Sequence, residues 1–259
     1  MLGFTSFSLL EQSMGRFDGK RILVTGATSG IGLAGVRRIL QEGGEVLGTG
    51  RDIRKVAQEN PALLDDVLWI QNDAADPAAA HALSRRVREG ARLDGLWLNA
   101  GHAVIGDIRQ IDADAFDAIM ATNVRGPVLQ LACLTDFLND GASVVVTAST
   151  SVYEGAVMAS LYAATKGALM SLVRCWASAL GNRGIRVNAL VPGPIDTPFR
   201  NFMPNEFRSR FESSVVSRLA LSRIGTASEA SNVALFLLSD EASFVTGSHY
   251  FVDGGLVKR

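Results

Sequence analysis

Seven short apolar runs recur along the chain: "RILVT", "EVLGT", "VLWIQ", "LDGLWLN", "ASVVVTAS", "IRVNALV" and "SHYFV". Helix-like segments such as "GLAGVRRILQEG" and "PAAAHALSRRVREG" separate them. Continuous apolar strands alternating with amphipathic helices are what a parallel sheet covered on both faces requires. The pattern therefore predicts a doubly wound α/β fold with a seven-stranded parallel sheet. Glycines at 43–44 are expected to end one helix and Pro77 to open the next. No linker-like, low-complexity or charge-block segment interrupts the repetition, and 259 residues suffice for one such domain.

Charge excludes whole classes of partner. Twenty-five basic and 26 acidic side chains leave a net charge of −1, which offers no electrostatic footprint for nucleic acid or an anionic membrane. No run of about 18 apolar residues is present, so no transmembrane helix is expected. The opening "MLGFTSFSLLEQSMGRFDGK" lacks a basic start and is broken by Glu11, which argues against a signal peptide. Residues 1–18 read as a short extension, with Met14 an alternative start, and 19–259 as a single domain. Cys133 and Cys175 lie far apart in apolar helical stretches, so two buried free thiols and a cytoplasmic location are expected. No metal-ligand spacing occurs, and His81 and His249 read as structural or exposed.

Chemistry enters at two places. "TGATSGIG", Thr25 to Gly32, follows the first strand and opens a helix. Glycines at 26, 30 and 32 permit a tight turn and close backbone approach, and a helix N-terminus offers free N–H groups to a pyrophosphate. This is a Rossmann-type signal, though a glycine-rich turn alone is weak. In "YAATK", Tyr162 and Lys166 stand at i and i+4 on one helical face. A tyrosine ordinarily titrates near about 10, so reaching about 7 demands roughly 4 kcal/mol of differential stabilisation, to which a nearby ammonium contributes.

Together with "NAG" at Asn99 to Gly101, Asn123 in "TNV", Ser149, "PGPIDT" from Pro192 and "VDGG" near the end, these motifs resemble the short-chain dehydrogenase/reductase family. The resemblance runs from about Gly19 to Gly255, in that family's order and spacing. It implies an NAD(P)-dependent oxidoreductase interconverting a secondary alcohol and a ketone on a small or medium-sized molecule. Asn123, Ser149, Tyr162 and Lys166 would be catalytic, with Tyr162 as general acid or base. Ser149 is preferred over Thr150 and Ser151 by family spacing alone. Gly26, Ser29, Gly30, Ile31 and Gly32 would wrap the diphosphate, and Asp73 and Ala74 would meet adenine. Asn99, Ala100, Gly101, Tyr162 and Lys166 would line the cofactor, and Pro192, Gly193, Ile195 and Thr197 its carboxamide side. The resemblance also implies a homotetramer or homodimer. The rival from another class is a catalytically silent dinucleotide-binding sensor or scaffold.

Cofactor choice rests on "GTGRD". Gly50 stands where an NAD-binding chain places a carboxylate and Arg51 follows, so NADP is preferred to NAD. Asp52 is the residue that would replace the missing acid. Leu98 stands where the family has a second asparagine. Tyr153 and Glu154 are expected at the substrate mouth, and His102 is a loop histidine within reach of the pocket. Residues 193–219 form an irregular excursion read as a lid, carrying Phe199, Phe202, Phe207 and Phe211 among Arg200, Arg208, Arg210 and Arg218. Most of these arginines read as solvated, with Arg200 the candidate for an acidic substrate group.

Overall fold

Every one of the seven apolar runs becomes a strand. In the computed structural model, which describes residues 15–201 and 205–258, these are β1 (Arg21–Val24), β2 (Glu45–Gly50), β3 (Val67–Gln71), β4 (Leu93–Leu98), β5 (Leu138–Thr147), β6 (Arg186–Pro192) and β7 (His249–Val252). They pair in parallel throughout, in the order β3-β2-β1-β4-β5-β6-β7. β5 begins ahead of its apolar run because Leu138 already pairs with Leu93 before a register shift.

The main helices are α1 (Gly30–Gln41), α2 (Ala79–Arg88), α3 (Ala113–Met120), α4 (Gly126–Leu134), α5 (Ser160–Leu180), α6 (Asn205–Val216) and α7 (Ala227–Leu238). Pleating sends alternate side chains to opposite faces, so each strand feeds two cores. Leu23, Val144 and Val146 pack with Leu83, Leu131 and Val173 from α2, α4 and α5. Ile22, Val24 and Val145 pack with Val36 and Leu235 from α1 and α7. α1 approaches the sheet closely because Gly35 lacks a side chain: a Cβ there would lie 2.3 Å from Trp97 Cζ3.

Phe17, 1% exposed, already belongs to this core, and Arg16 pairs with Glu42. The packed domain therefore takes in the end of the expected extension; residues 1–14 lie outside the described residues. In the excursion, Ile195–Asp196 pairs with Gly225–Thr226 before and after α6. Phe202 and the side chains of Arg200, Phe207, Arg210 and Phe211 also lie outside the described residues.

The cysteines correct the sequence expectation. Cys175 is exposed on α5, and Cys133 is half-buried with its sulfur 3.5 Å from His81 Nδ1. Both thiols are free, but neither is a fully buried hydrophobe: the apolar segments carrying them turn these positions away from the sheet. Among the described residues, no helix is long and apolar enough to cross a membrane.

Strand order reverses between β1 and β4. Connections leaving their carboxyl ends diverge, and the crevice between them is where such folds accept ligands.

Candidate active site

A cleft of about 360 Å³ occupies that crevice. Its floor is the turn from β1 into α1. Gly26 takes φ +62° and packs so closely on the β4 end that a Cβ would lie 2.8 Å from Ala100 Cα. Thr25 Oγ1 accepts the N–H groups of Asn99 and Ala100 at 3.0 and 3.1 Å, and Asn99 Nδ2 donates to the Gly26 carbonyl at 3.2 Å. Ser29 is the N-cap of α1, yet its side chain caps nothing. The first-turn amides of α1 thus face the cleft without an internal side-chain acceptor, as a site for a phosphate oxygen requires.

Sixteen of the expected positions, from Gly26, Ser29, Gly30 and Ile31 through Arg51, Asp73, Ala74, Asn99, Ala100 and Gly101 to Tyr162, Lys166, Pro192, Gly193, Ile195 and Thr197, line this one cleft, as does Ser149. Gly32 and Asn123 do not. Gly32 sits behind the turn, where a Cβ would lie 2.4 Å from the Gly26 oxygen. Asn123 lies in a single π turn, Ala121–Arg125, between α3 and α4 and is wholly buried. Its Nδ2 donates to the His102 carbonyl at 2.8 Å and to Thr165 Oγ1 at 3.1 Å, and its Oδ1 accepts the His102 N–H at 3.0 Å.

At one end of the cleft stands Gly50, where a Cβ would lie 2.4 Å from Thr28 Cγ2, so a carboxylate there would require Thr28 to move. Arg51 is exposed beside it. Asp52 is held by Arg54, whose Nε and Nη2 donate at 2.9 and 3.1 Å. Asp73 turns its Oδ1 to its own loop, accepting from the Ala75 N–H at 3.0 Å.

At the other end, Tyr162, Ser149 and Lys166 converge. Ser149 Oγ accepts the Ser151 N–H at 3.2 Å and stands close enough to the Tyr162 phenol to favour its ionised form. Lys166, 3% exposed, donates to the Thr147 carbonyl at 2.8 Å, with its Nζ 5.8 Å from the centre of the Tyr162 ring. Burial pushes the phenol up to about 12, opposed by the Ser149 hydrogen bond and reinforced by the charge of Glu154. Burial also draws Lys166 down to about 8. The ring keeps an edge open to the cleft, but the protein alone does not prepare a phenolate. The ammonium is directed at a backbone carbonyl instead.

Sequence reasoning missed several participants. Trp97 Nε1 donates to Thr147 Oγ1 at 2.9 Å, and that hydroxyl donates to Asn99 Oδ1 at 3.0 Å. Leu98, in place of an asparagine, is simply core, 1% exposed. His102 is half-buried in the cleft wall, and burial, then Arg51 and Lys166, lower its pKa. Glu154 lines the cleft, whereas Tyr153 packs on Phe251 with ring centroids 5.5 Å apart. No group of histidine, cysteine or acidic residues that could hold a metal ion occurs among the described residues.

Residues 26–257 match the family model described as enoyl-(acyl carrier protein) reductase. The chain is 34% identical over 245 residues to meso-2,3-butanediol dehydrogenase of Serratia marcescens, a match covering 93% of this chain and 95% of that protein. A solved structure described as a short chain dehydrogenase/reductase family protein superposes with TM-score 0.83 at 33% identity, over 93% of this chain and 99% of the other. A blue fluorescent protein from a metagenomic library, in complex with NADPH, superposes with TM-score 0.84 at 31% identity, over 93% and 98%.

The buried ammonium generates a stability prediction. The unfolded chain keeps the Lys166 proton up to 10.5, whereas the folded chain releases it near 8. Such a shift costs the fold about 3 kcal/mol at pH 7, against about 1 kcal/mol returned by the Thr147 hydrogen bond. Between those two values the unfolded state binds more protons, so folded stability rises with pH through that window. Without cofactor, Lys166→Met is expected to melt above the wild type at pH 7, with the gap narrowing from pH 8 towards 10.5. Calorimetry across that range checks it; a lower melting temperature for the variant at pH 7 would reject the assignment.

Proposed function

The chain belongs to the short-chain dehydrogenase/reductase family, and we propose that it is an NADP(H)-dependent oxidoreductase interconverting a secondary alcohol and a ketone. The observation that carries this reading is the convergence of Tyr162, Ser149 and Lys166 in one cleft with the uncapped start of α1. A bound nicotinamide supplies hydride to the carbonyl carbon or accepts it from the alcohol carbon. Tyr162 gives its proton to the carbonyl oxygen in reduction and takes one from the alcohol in oxidation. Ser149, beside the phenol in the same cleft, orients the same oxygen. Lys166 holds the ribose hydroxyls and, as a cation, favours the phenolate once Tyr162 has lost its proton. Asn123 acts by holding the His102 loop against Thr165 on α5. Residues 193–219 serve as the lid: Phe199 brings its ring centroid to 6.0 Å from that of Tyr162, and Val215 reaches the cleft. Arg208 braces this segment through Glu212 at 3.0 Å and Asn201 at 3.1 Å.

NADP is preferred over NAD because Gly50 supplies no carboxylate, Asp52 is occupied by Arg54, and Arg51 is exposed at the cleft. A guanidinium matches a 2′-phosphate bidentately. The proposal extends to a cytoplasmic homo-oligomer, a tetramer or dimer, formed through α4 and α5; Leu172 and Trp176 of α5 are only partly buried.

Three outcomes are expected. Tyr162→Phe keeps the ring and loses the proton, so turnover should fall about 10²- to 10⁴-fold with cofactor binding nearly unchanged; more than about a tenth of wild-type rate would remove Tyr162 from the acid–base role. Fluorescence titration of NADPH and NADH into wild type and Arg51→Ala should show a preference for NADPH that the substitution erodes. Equal or tighter NADH binding by the wild type, or an unchanged ratio in the variant, would discharge Arg51 as selector. Light scattering at micromolar concentration should show more than one chain per particle, and a monomer refutes the assembly.

A further inference from the structure

Most side chains lining the cleft around Tyr162 are apolar, including Ile105, Ala156, Ala159, Val215 and Leu256. The one-turn helix Ser151–Glu154 breaks that surface. Its two polar ends stand at i and i+3, on one helical face. Glu154 lines the cleft with its side chain 15% exposed. Oε1 accepts the Thr150 hydroxyl at 2.6 Å, and Oε2 lies 3.7 Å from Arg218, an ion pair beyond hydrogen-bond distance. A carboxylate has about four lone-pair sites, so acceptor capacity remains. Ser151 lines the same cleft, and its buried Oγ has no hydrogen-bond partner.

A carboxylate with spare acceptor sites is costly in an apolar pocket unless a ligand meets it. We propose that Glu154 is the specificity-determining residue of this cleft: it accepts a hydrogen bond from a neutral hydroxyl close to the reacting carbonyl and turns away anionic ketones. This rests on the oxidoreductase reading and names its substrate class, a hydroxyketone or the corresponding vicinal diol. Arg218, at the end of the lid segment and half-exposed, balances the Glu154 charge from outside. Because the Glu154 charge also raises the Tyr162 pKa, the carboxylate lies within electrostatic reach of the reacting proton. An anion bound beside it would meet repulsion from a charge the pocket walls screen poorly.

The test uses three ketones of similar size with NADPH: a plain ketone, its 2-hydroxy analogue, and a 2-keto acid. Wild type should prefer the hydroxyketone over the plain ketone by about tenfold or more in kcat/KM, as loss of one buried hydrogen bond entails, and should turn over the 2-keto acid least. Glu154→Gln retains an acceptor, so it should keep the hydroxyketone preference and gain about tenfold on the 2-keto acid. Glu154→Leu should lose the preference, the kcat/KM ratio of hydroxyketone to plain ketone falling to about one. Circular dichroism and NADPH binding confirm folding of both variants. Turnover of all three ketones without discrimination by the wild type, or an unchanged hydroxyketone preference in Glu154→Leu, overturns the subsite alone. A wild type that turns over none of the three overturns the oxidoreductase reading and the subsite with it.

Discussion

Thr147, the last residue of β5, is the point on which the site depends. Its hydroxyl takes the Trp97 indole N–H and passes a hydrogen bond to Asn99, which in turn holds the Gly26 carbonyl. Its own carbonyl takes the Lys166 ammonium. One residue therefore ties the glycine turn after β1, the end of β4 and the helix carrying Tyr162 and Lys166. Each donor is buried or nearly so, and each lost partner would leave a polar group in a low-dielectric interior. Placement of the reacting groups follows from satisfying ordinary hydrogen bonds at the ends of three parallel strands.

The same burial sets the chemistry's starting point. Burial moves Tyr162 up to about 12 and Lys166 down to about 8, so at neutral pH the phenol holds its proton while the lysine is still mostly a cation. A phenol in this state keeps its proton until a carbonyl oxygen is there to receive it, which suits a general acid in reduction. In oxidation it needs added positive charge nearby before it accepts a proton from an alcohol. Lys166 therefore carries a stability cost that the fold accepts at a functional position, a familiar exchange of stability against activity.

The seven strands were legible because a parallel sheet buried on both faces forces near-continuous apolar runs, and glycine positions were legible because their geometry admits little else. Tyr162, Lys166 and Ser149 were found by spacing, and the cleft brings all three together. What escaped notice is instructive. Trp97 and Thr147 look like ordinary strand residues, and only the side-chain hydrogen bonds from Trp97 through Thr147 to Asn99 reveal that they join the site. Asn123 is identified by its motif, but the π turn that buries it behind Gly101, beside Lys166, has no sequence signature. The i, i+4 spacing says which face Tyr162 and Lys166 share, not which acceptor the ammonium takes, and that acceptor is the Thr147 carbonyl. Cys175 was assigned to the interior because an apolar helix segment does not state which of its faces meets the sheet.

The two ends of the cleft are consequently built from different material. The end read as dinucleotide-binding is made from backbone: the Gly26 turn, the first amides of α1 and the Gly193 N–H already given to the Val252 carbonyl at 3.0 Å. Changing it means changing strand ends on which two cores depend. The end around Tyr162 is lined instead by side chains following β5 and β6, including Ala156, Ala159, Phe199 and Leu256, several on irregular segments that bear little of the packing. Substitution there alters the shape and polarity of the pocket at small cost to the sheet. A single carboxylate such as Glu154 can accordingly redirect which ketone enters while the Tyr162 and Lys166 geometry, fixed by Thr147 and α5, stays as it is.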